Sequence, residues 1–438
     1  MSAARTASTR SLKTVQQRAS HAHLSEDVSR APAPPLRSRR GRVDAIIVPA
    51  SRPASFLRRT VELSALLGVF LVVLCSKQTK LDDVAKRVAR TPGARSLIAQ
   101  IPDGWTHTKF PTRTSAREFR EANAKRASDL SAKRNIGLLL ARVHGWSKVV
   151  FVDDDITSLP PANIARLAGK LEKHQVAGLV VNDYPDNSVV CHARRLANLD
   201  QDVFVTGAVL GVQCSDLPLS YFPDIYNEDW FFFAKDAAAR DLPRVGHARQ
   251  APYDPFESPD RARREEFGDL LAEGLYALMG EVHPSVPFED QLRAAGATYW
   301  SRFIDARREV ITKTYIALDR FVVPDAENRP VTAALASLEA SEDQLAQINA
   351  DLCVSFLDEW RADLSDWQTF SNKLSSVRGT REAMETLELT TWRLAQFGDP
   401  VIDSEAEPTR LNSSMGVQFK AQSPLEPTDS MQELALSS

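Results

Sequence analysis

One segment of the chain constrains its fold more than any other, an apolar run that ends in three consecutive aspartates. Residues 148–152 read Lys-Val-Val-Phe-Val, and Asp153, Asp154 and Asp155 follow directly. A short run rich in β-branched residues is typical of a strand buried in the middle of a parallel sheet. Carboxylates crowded at the end of such a strand repel one another unless a cation lies between them. The segment therefore predicts a divalent-metal site, and the alternative is a solvated acidic turn before a helix.

Strand-like and helix-like segments alternate on both sides of this run. The apolar patterns predict strands over 43–49, 69–75, 96–101 and 176–182, and helices over 56–67, 81–88, 128–143 and 163–174. Such alternation predicts an α/β fold with a doubly wound, mostly parallel sheet flanked by helices. In sheets of this kind ligands bind at the carboxyl ends of the strands, which is where the aspartates are expected.

Composition divides the chain into four predicted parts. We expect a disordered basic tail over 1–41, the α/β domain over 42–256, an all-helical extension over 257–400 and a disordered acidic tail over 401–438. The basic tail could instead be an organellar transit peptide, and it could make weak contact with an anionic membrane surface. The helical extension is expected to pack on the first domain or to form a homo-oligomer.

Charge and cysteine content limit the partners and the compartment. The net charge is −3, and the middle of the chain is not basic enough for nucleic acid to be the main partner. The four cysteines are far apart and lack metal-ligand spacing, which indicates reduced thiols in a cytoplasmic protein. The longest apolar run, 63–75, is too short to span a bilayer, so no transmembrane segment is predicted.

Polar motifs on both sides of the acidic strand could join the site. Lys133, Arg134 and Asn135 lie near the start of the preceding helix, where positive charge and free backbone N–H groups suit a phosphate. Glu228 and Asp229 precede an aromatic run, where desolvation could raise the pKa of a carboxylate into the range of a general base. The alternatives are a solvated helix start for the first motif and a helix cap for the second.

Two further features come from the second half of the α/β region. Thr206 and Gly207 lie in a predicted strand over 204–212 that is interrupted by small residues, and glycine there permits close approach of a ligand. His247 follows the second acidic motif and could be a third metal ligand, since imidazole together with carboxylates suits Mn²⁺. A bulge and a structural histidine are the respective alternatives.

In their order and spacing, these motifs over residues 43–255 resemble the GT-A glycosyltransferases, especially the family-2-like group. The resemblance implies that the sequence after the first strand holds the nucleotide, that Asp153 and Asp155 bind a divalent metal, and that Asp229 beside Glu228 is the general base of an inverting reaction. It further implies contacts with the nucleotide sugar from Pro49, Ser51, Arg52, Arg134, Asn135, Asp154, Thr206 and Gly207.

The implied function is transfer of a sugar from a nucleoside-diphosphate sugar to a hydroxyl acceptor, which could be a small molecule, a glycan or a lipid-linked sugar, with Mn²⁺ or Mg²⁺ as the metal. The sequence departs from the family where the second strand ends in Cys75-Ser76-Lys77-Gln78 in place of an acid, and it lacks a clear basic motif after Glu228 and Asp229. A retaining enzyme with His247 as a metal ligand therefore stays open.

Two other functions fit parts of the pattern. Asp153 and Asp155 also match the Asp-x-Asp-x-Thr signature of HAD-type phosphatases, in which the first aspartate is a nucleophile. That family begins its fold with the acidic strand, whereas here several predicted strands precede it. The second alternative is a non-catalytic binding or scaffold protein that keeps the nucleotide-sugar fold.

Overall fold

A ten-stranded mixed sheet lies at the centre of the computed structural model, which describes residues 15–110, 112–182, 188–215, 218–321, 329–377 and 379–401. Its strands are β1 (Glu26–Asp27), β2 (Ala45–Ala50), β3 (Phe70–Cys75), β4 (Arg95–Gln100), β5 (Lys148–Val152), β6 (Ile156–Ser158), β7 (Val176–Val181), β8 (Thr206–Gln213), β9 (Pro243–Gln250) and β10 (Trp392–Gln396). The prediction of an α/β fold with a large sheet flanked by helices is confirmed.

Helices flank the sheet. They are α1 (Arg58–Leu67), α2 (Leu81–Ala89), α3 (Arg117–Ala122), α4 (Leu130–Val143), α5 (Pro161–Lys170), α6 (Val189–Leu196), α7 (Glu228–Phe232), α8 (Ala234–Ala238), α9 (Pro259–Glu281), α10 (Phe288–Ala294), α11 (Ala297–Asp319), α12 (Arg329–Leu345), α13 (Ala350–Lys373) and α14 (Thr380–Thr386). Helices α1 to α8 alternate with strands along the chain, and α9 to α14 lie between β9 and β10 in sequence. No helix among the described residues is long and apolar enough to cross a membrane.

The strand order is β1-β9-β7-β8-β5-β2-β3-β4-β10, and β6 pairs with β9 outside this path. β2 runs parallel to β3 and β5, and β3 runs parallel to β4, whereas β8 is antiparallel to both β5 and β7. The carboxyl ends of β2 to β5 therefore meet at one edge of the sheet. The sequence places the three aspartates at that edge.

Helix α4 packs directly on the sheet at one glycine. A Cβ added to Gly137 would come within 2.6 Å of Phe151 and 3.0 Å of Ile47, both of which are buried core residues. Any larger residue would push α4 away from β2 and β5. Gly137 thus fixes the depth at which the polar start of α4 meets the strand ends.

Two regions differ from the sequence predictions. Residues 15–41 pack on the protein and do not form a disordered tail: Leu24 is fully buried and β1 pairs with β9. The region predicted to be all-helical ends in a strand, because β10 pairs antiparallel with β4. An alternating pattern of only five residues is too short to distinguish from a frayed helix.

The helices after residue 257 belong to the same compact unit as the sheet. α9 is buried over most of its length, and α12 packs against α9 and α6. The predicted acidic tail from 402 onward, like residues 1–14, lies outside the described residues.

Candidate active site

An open pocket of about 400 Å³ lies at the carboxyl ends of β2 and β5. The turn after β2 and the acidic turn after β5 form part of its lining, and mostly charged or polar residues from other parts of the chain complete it. We call it the strand-end pocket; its lining includes Pro49, Ser51, Arg52, Lys77, Asp129, Lys133, Asp153, Asp154, Asp155, Gln250, Tyr253, Asp254, Glu257 and Arg261.

The middle aspartate of the acidic motif holds the turn that follows β2. The Asp154 side chain is 2% exposed, and its Oδ2 accepts hydrogen bonds from the backbone N–H groups of Ser51 (2.6 Å) and Arg52 (2.8 Å). The guanidinium of Arg52 also donates to Asp154. These contacts fix the two strand-end turns against each other, so Ser51 and Asp154 serve the shape of the pocket. The predicted contact of Asp154 with a nucleotide sugar stays a prediction.

The outer aspartates are the carboxylates that could bind a metal here. Asp153 accepts from Arg134 at 2.9 Å, and Asp155 forms an ion pair with Arg52 at 2.8 Å. Burial raises the pKa of Asp153, and Arg134 opposes that rise. Within the described ranges no group of three or more His, Cys, Asp or Glu side chains is arranged to hold a metal ion. Two carboxylates nevertheless fit Mg²⁺ or Mn²⁺, because such ions take their remaining oxygen ligands from substrate phosphates and water.

Arg134 connects the two acidic motifs. Its Nη1 donates to Glu228 at 2.6 Å and its Nη2 to Asp153, and its guanidinium lies 5.5 Å from the centre of the Phe222 ring. Burial lowers the pKa of Arg134, but the neighbouring Asp153 and Glu228 raise it by more, so the net pKa is above its usual value and the group stays charged. The sequence predicted a phosphate contact for Arg134; the structure shows a buried cation that joins segments far apart in the chain.

The residues on either side of Arg134 also bind protein groups. The Nζ of Lys133 donates to the carbonyl of Ala50 (2.8 Å) and to the hydroxyl of Ser76 (2.6 Å), which ties α4 to the ends of β2 and β3. Burial lowers the pKa of Lys133, and Asp129 opposes that shift. The amide of Asn135 exchanges two hydrogen bonds with the backbone of Phe222, at 2.8 and 2.9 Å.

The second acidic motif lies behind Asp153, on the far side of Arg134. Asp229 is buried; its Oδ2 accepts from the backbone N–H of Gly207, and its Oδ1 accepts from the N–H of Trp230 at 2.9 Å. A Cβ at Gly207 would contact both Arg134 and Asp229, so glycine is required for this packing. Thr206 is buried and accepts from the N–H of Ala208. Glu228 and Asp229 are not part of the strand-end pocket lining.

His247 lies on β9 away from this lining, and its side chain is paired with Asn182 at 2.9 Å. The pocket instead receives Gln250, at the carboxyl end of the same strand, and then Tyr253 and Arg261. Arg261 lies 4.8 Å from the centre of the Tyr253 ring and donates to Glu265. The sequence signal that could have identified these residues is the end of β9, because strand ends and not strand middles reach the site.

No family model and no curated protein matches the chain. Among solved structures, it is similar to the mannosyltransferase PcManGT from Pyrobaculum calidifontis, solved in complex with GDP-Man and Mn²⁺. The two are 12% identical, the match covers 76% of this chain and 88% of the other, and the TM-score is 0.36. A likeness of this size assigns no role to any residue, so the site is interpreted from its own geometry.

Proposed function

We propose that the protein is a metal-dependent glycosyltransferase that moves a sugar from a nucleoside-diphosphate sugar to a hydroxyl acceptor. The observation that carries the proposal is the composition of the strand-end pocket, in which Asp153 and Asp155 share one cavity with Arg52, Lys77 and Lys133. Carboxylates for a divalent cation beside cations for phosphate oxygens are the two partners that a bound diphosphate needs.

Asp153 and Asp155 are the residues that would hold the cation, which when bound would neutralise charge developing on the leaving diphosphate. Arg52 is suited to the phosphates, because its side chain is 43% exposed and it projects from a turn fixed by Asp154. Lys133 is committed to Ala50 and Ser76 and would contribute positive potential to the pocket. The sequence resemblance to GT-A glycosyltransferases supports the same assignment.

The transfer needs a base for the acceptor. As the acceptor oxygen bonds to the anomeric carbon, its proton passes to a carboxylate, and the bond from that carbon to the diphosphate breaks with the electron pair going to the diphosphate oxygen. Asp229 is the predicted base of an inverting reaction, and it lies one residue from Glu228, which Arg134 links to Asp153. The pocket lining itself also offers Asp254 and Glu257. Comparing turnover of Asp229→Asn with that of Glu257→Gln distinguishes these two positions.

Calorimetric titration of UDP and GDP, with and without Mn²⁺, tests the proposal. We expect one nucleotide to bind only with the metal, and Asp155→Ala to weaken that binding on the order of 100-fold. Asp82→Ala is a matched control, because Asp82 lies on α2 with a side chain 70% exposed and outside the pocket. Absence of binding by both nucleotides under all metal conditions would refute the donor site and direct attention to phosphatase activity.

A further inference from the structure

A second, larger cavity of about 880 Å³ adjoins the strand-end pocket. The two share Lys77, Ser128 and Asp129 in their linings, so a ligand in one lies next to a ligand in the other. We call this second cavity the aromatic cleft. The segment between β4 and α4 forms much of its wall, and residues just before α7 form the remainder.

Aromatic rings give the cleft an apolar wall. Trp105 and Phe110 meet edge to face with their ring centres 5.6 Å apart, and Phe110 packs in the same way on Trp367 of α13 at 5.7 Å. Tyr221 lies 6.1 Å from Trp367 on the other side. Trp105 is only partly buried, so its ring is accessible from the cleft. Flat aromatic surfaces suit ligands that present an apolar face together with polar edges.

Helix α13 supports this wall from outside. Asp363 is fully buried and accepts hydrogen bonds from the backbone N–H of Arg113 (3.2 Å) and from the N–H and hydroxyl of Thr114 (both 2.9 Å). The segment 112–115, which contributes to the cleft, is therefore held by a residue about 250 positions later in the chain. A wall fixed in this way is pre-organised for a ligand.

Polar groups of both signs complete the cleft. Lys77, Arg120 and Arg126 are matched in its described lining by Asp103, Asp129 and Asp224, and Arg126 lies 3.5 Å from Asp224. Equal numbers of cations and anions disfavour a phosphate-bearing or strongly charged ligand. Paired donors and acceptors suit hydroxyl groups, each of which both donates and accepts.

The cleft also contains a buried phenol hydroxyl. Tyr221 is 2% exposed, and its hydroxyl lies near Thr114 and Asp363. Tyr221 is also part of the cleft lining.

We propose that the aromatic cleft binds an uncharged saccharide that serves as the hydroxyl acceptor, with a sugar ring stacked on Trp105. This inference rests on the proposed function and names the acceptor class. The volume lies near the upper end for small-molecule sites, which accommodates more than one sugar ring. A lipid tail is disfavoured because six charged residues line the cleft.

Saturation-transfer NMR on the full chain tests the proposal with maltose, lactose and mannobiose as probes. We expect at least one disaccharide to give a saturation-transfer signal with the wild type. With Trp105→Ala that signal should be smaller by roughly five-fold or more. Trp392→Ala is the matched control, since Trp392 is a partly buried tryptophan on β10 outside the cleft. Asp224→Asn should also weaken disaccharide binding. The Asp224 side chain is 43% exposed, so removing its charge carries little risk to folding.

The nucleotide titration distinguishes the two proposals. Metal-dependent nucleotide binding that is unchanged in Trp105→Ala, together with loss of disaccharide binding, supports the inference. Nucleotide binding without any disaccharide signal, or with a signal equal in wild type and Trp105→Ala, overturns the acceptor assignment alone. Weakened nucleotide binding in Trp105→Ala would assign the cleft to the donor. If the wild type binds no nucleotide, the proposed function itself is overturned.

Discussion

The strand-end pocket and the aromatic cleft adjoin each other, yet the chain builds them by different means. The first is formed at the ends of β2 and β5 by residues that follow each strand directly, and its geometry depends on the ion pairs of the buried Arg134 and on hydrogen bonds to the buried Asp154. The second is formed by a long connection between β4 and α4 that rests on aromatic side chains and Asp363 of α13. A sheet edge positions charge reliably, whereas the adjoining surface can vary without changing the fold.

Replacing Arg134 should give the largest loss of stability, and it should disturb the strand-end pocket but not the aromatic cleft. Arg134→Gln leaves Asp153 and Glu228 buried beside a neutral group, and we expect a loss of about 3–5 kcal/mol in the free energy of unfolding. Urea denaturation measures the loss, with Arg58→Gln, an exposed position on α1, as the control. A loss below about 1 kcal/mol would mean that the two acidic motifs are not held together by this cation.

Replacing Asp363 should act on the cleft side. Asp363→Ala removes the acceptor for Arg113 and Thr114, and we expect a loss of about 2–3 kcal/mol together with loss of disaccharide binding. Nucleotide binding should stay at the wild-type level. Asp366→Ala is the neighbouring control, because the Asp366 side chain is 57% exposed and should change stability by less than about 0.5 kcal/mol. Equal loss of both ligands in Asp363→Ala would show that the two sites are one unit.

A change outside both sites should alter stability without altering either ligand. Burial, with a smaller contribution from Asp241, raises the pKa of Asp236 on α8 from 3.8 to about 7. The folded state therefore holds this proton more tightly than the unfolded chain, so the stability it contributes is full below pH 4 and is lost as the pH rises through 7. Asp236→Asn should be more stable than wild type by about 4 kcal/mol at pH 8 and equal to it near pH 4. Thermal unfolding at the two pH values measures this, and a difference independent of pH would contradict it.

The smallest effect is expected at the shared rim. Lys77 has a left-handed backbone with φ of 49° and lines both cavities. Lys77→Gly should raise the free energy of unfolding by about 0.5 kcal/mol, because glycine adopts this conformation more readily. Loss of the charge should lower the affinity for the nucleotide a few-fold, as for other exposed charge interactions. Titrating nucleotide and disaccharide into the same variant shows whether the rim serves one site or both.

The sequence predicted the sheet well because each buried strand is a local signal. The strands predicted up to residue 182 all correspond to strands of the structure within one or two residues, and the acidic motif lies at a strand end as expected. The same reasoning identified Arg134, Asn135 and Asp154 as polar residues near the site. It could not show that their side chains bind other parts of the protein, since those partners are contributed by segments up to about 100 residues away.

The aromatic cleft was beyond sequence reasoning for a related physical reason. Trp105, Phe110 and Tyr221 carry no periodic pattern, and their arrangement depends on α13, whose Asp363 and Trp367 lie far along the chain. The packing of residues 15–41 was missed likewise, because a basic, proline-containing stretch has the composition of a disordered segment. Pairing with an existing strand stabilises such a segment regardless of its composition.

The strands β1 and β10 have a consequence for protein production. Each lies at an outer edge of the sheet, β1 beside β9 and β10 beside β4, and the two come from opposite flanks of the α/β region. A shortened form limited to residues 42–256, the α/β domain predicted from composition, would lose both strands and leave two rows of backbone N–H and C=O groups unpaired. Exposed edges of this kind recruit other chains. Such a fragment should therefore aggregate, and soluble preparations should retain residues 15 to 401.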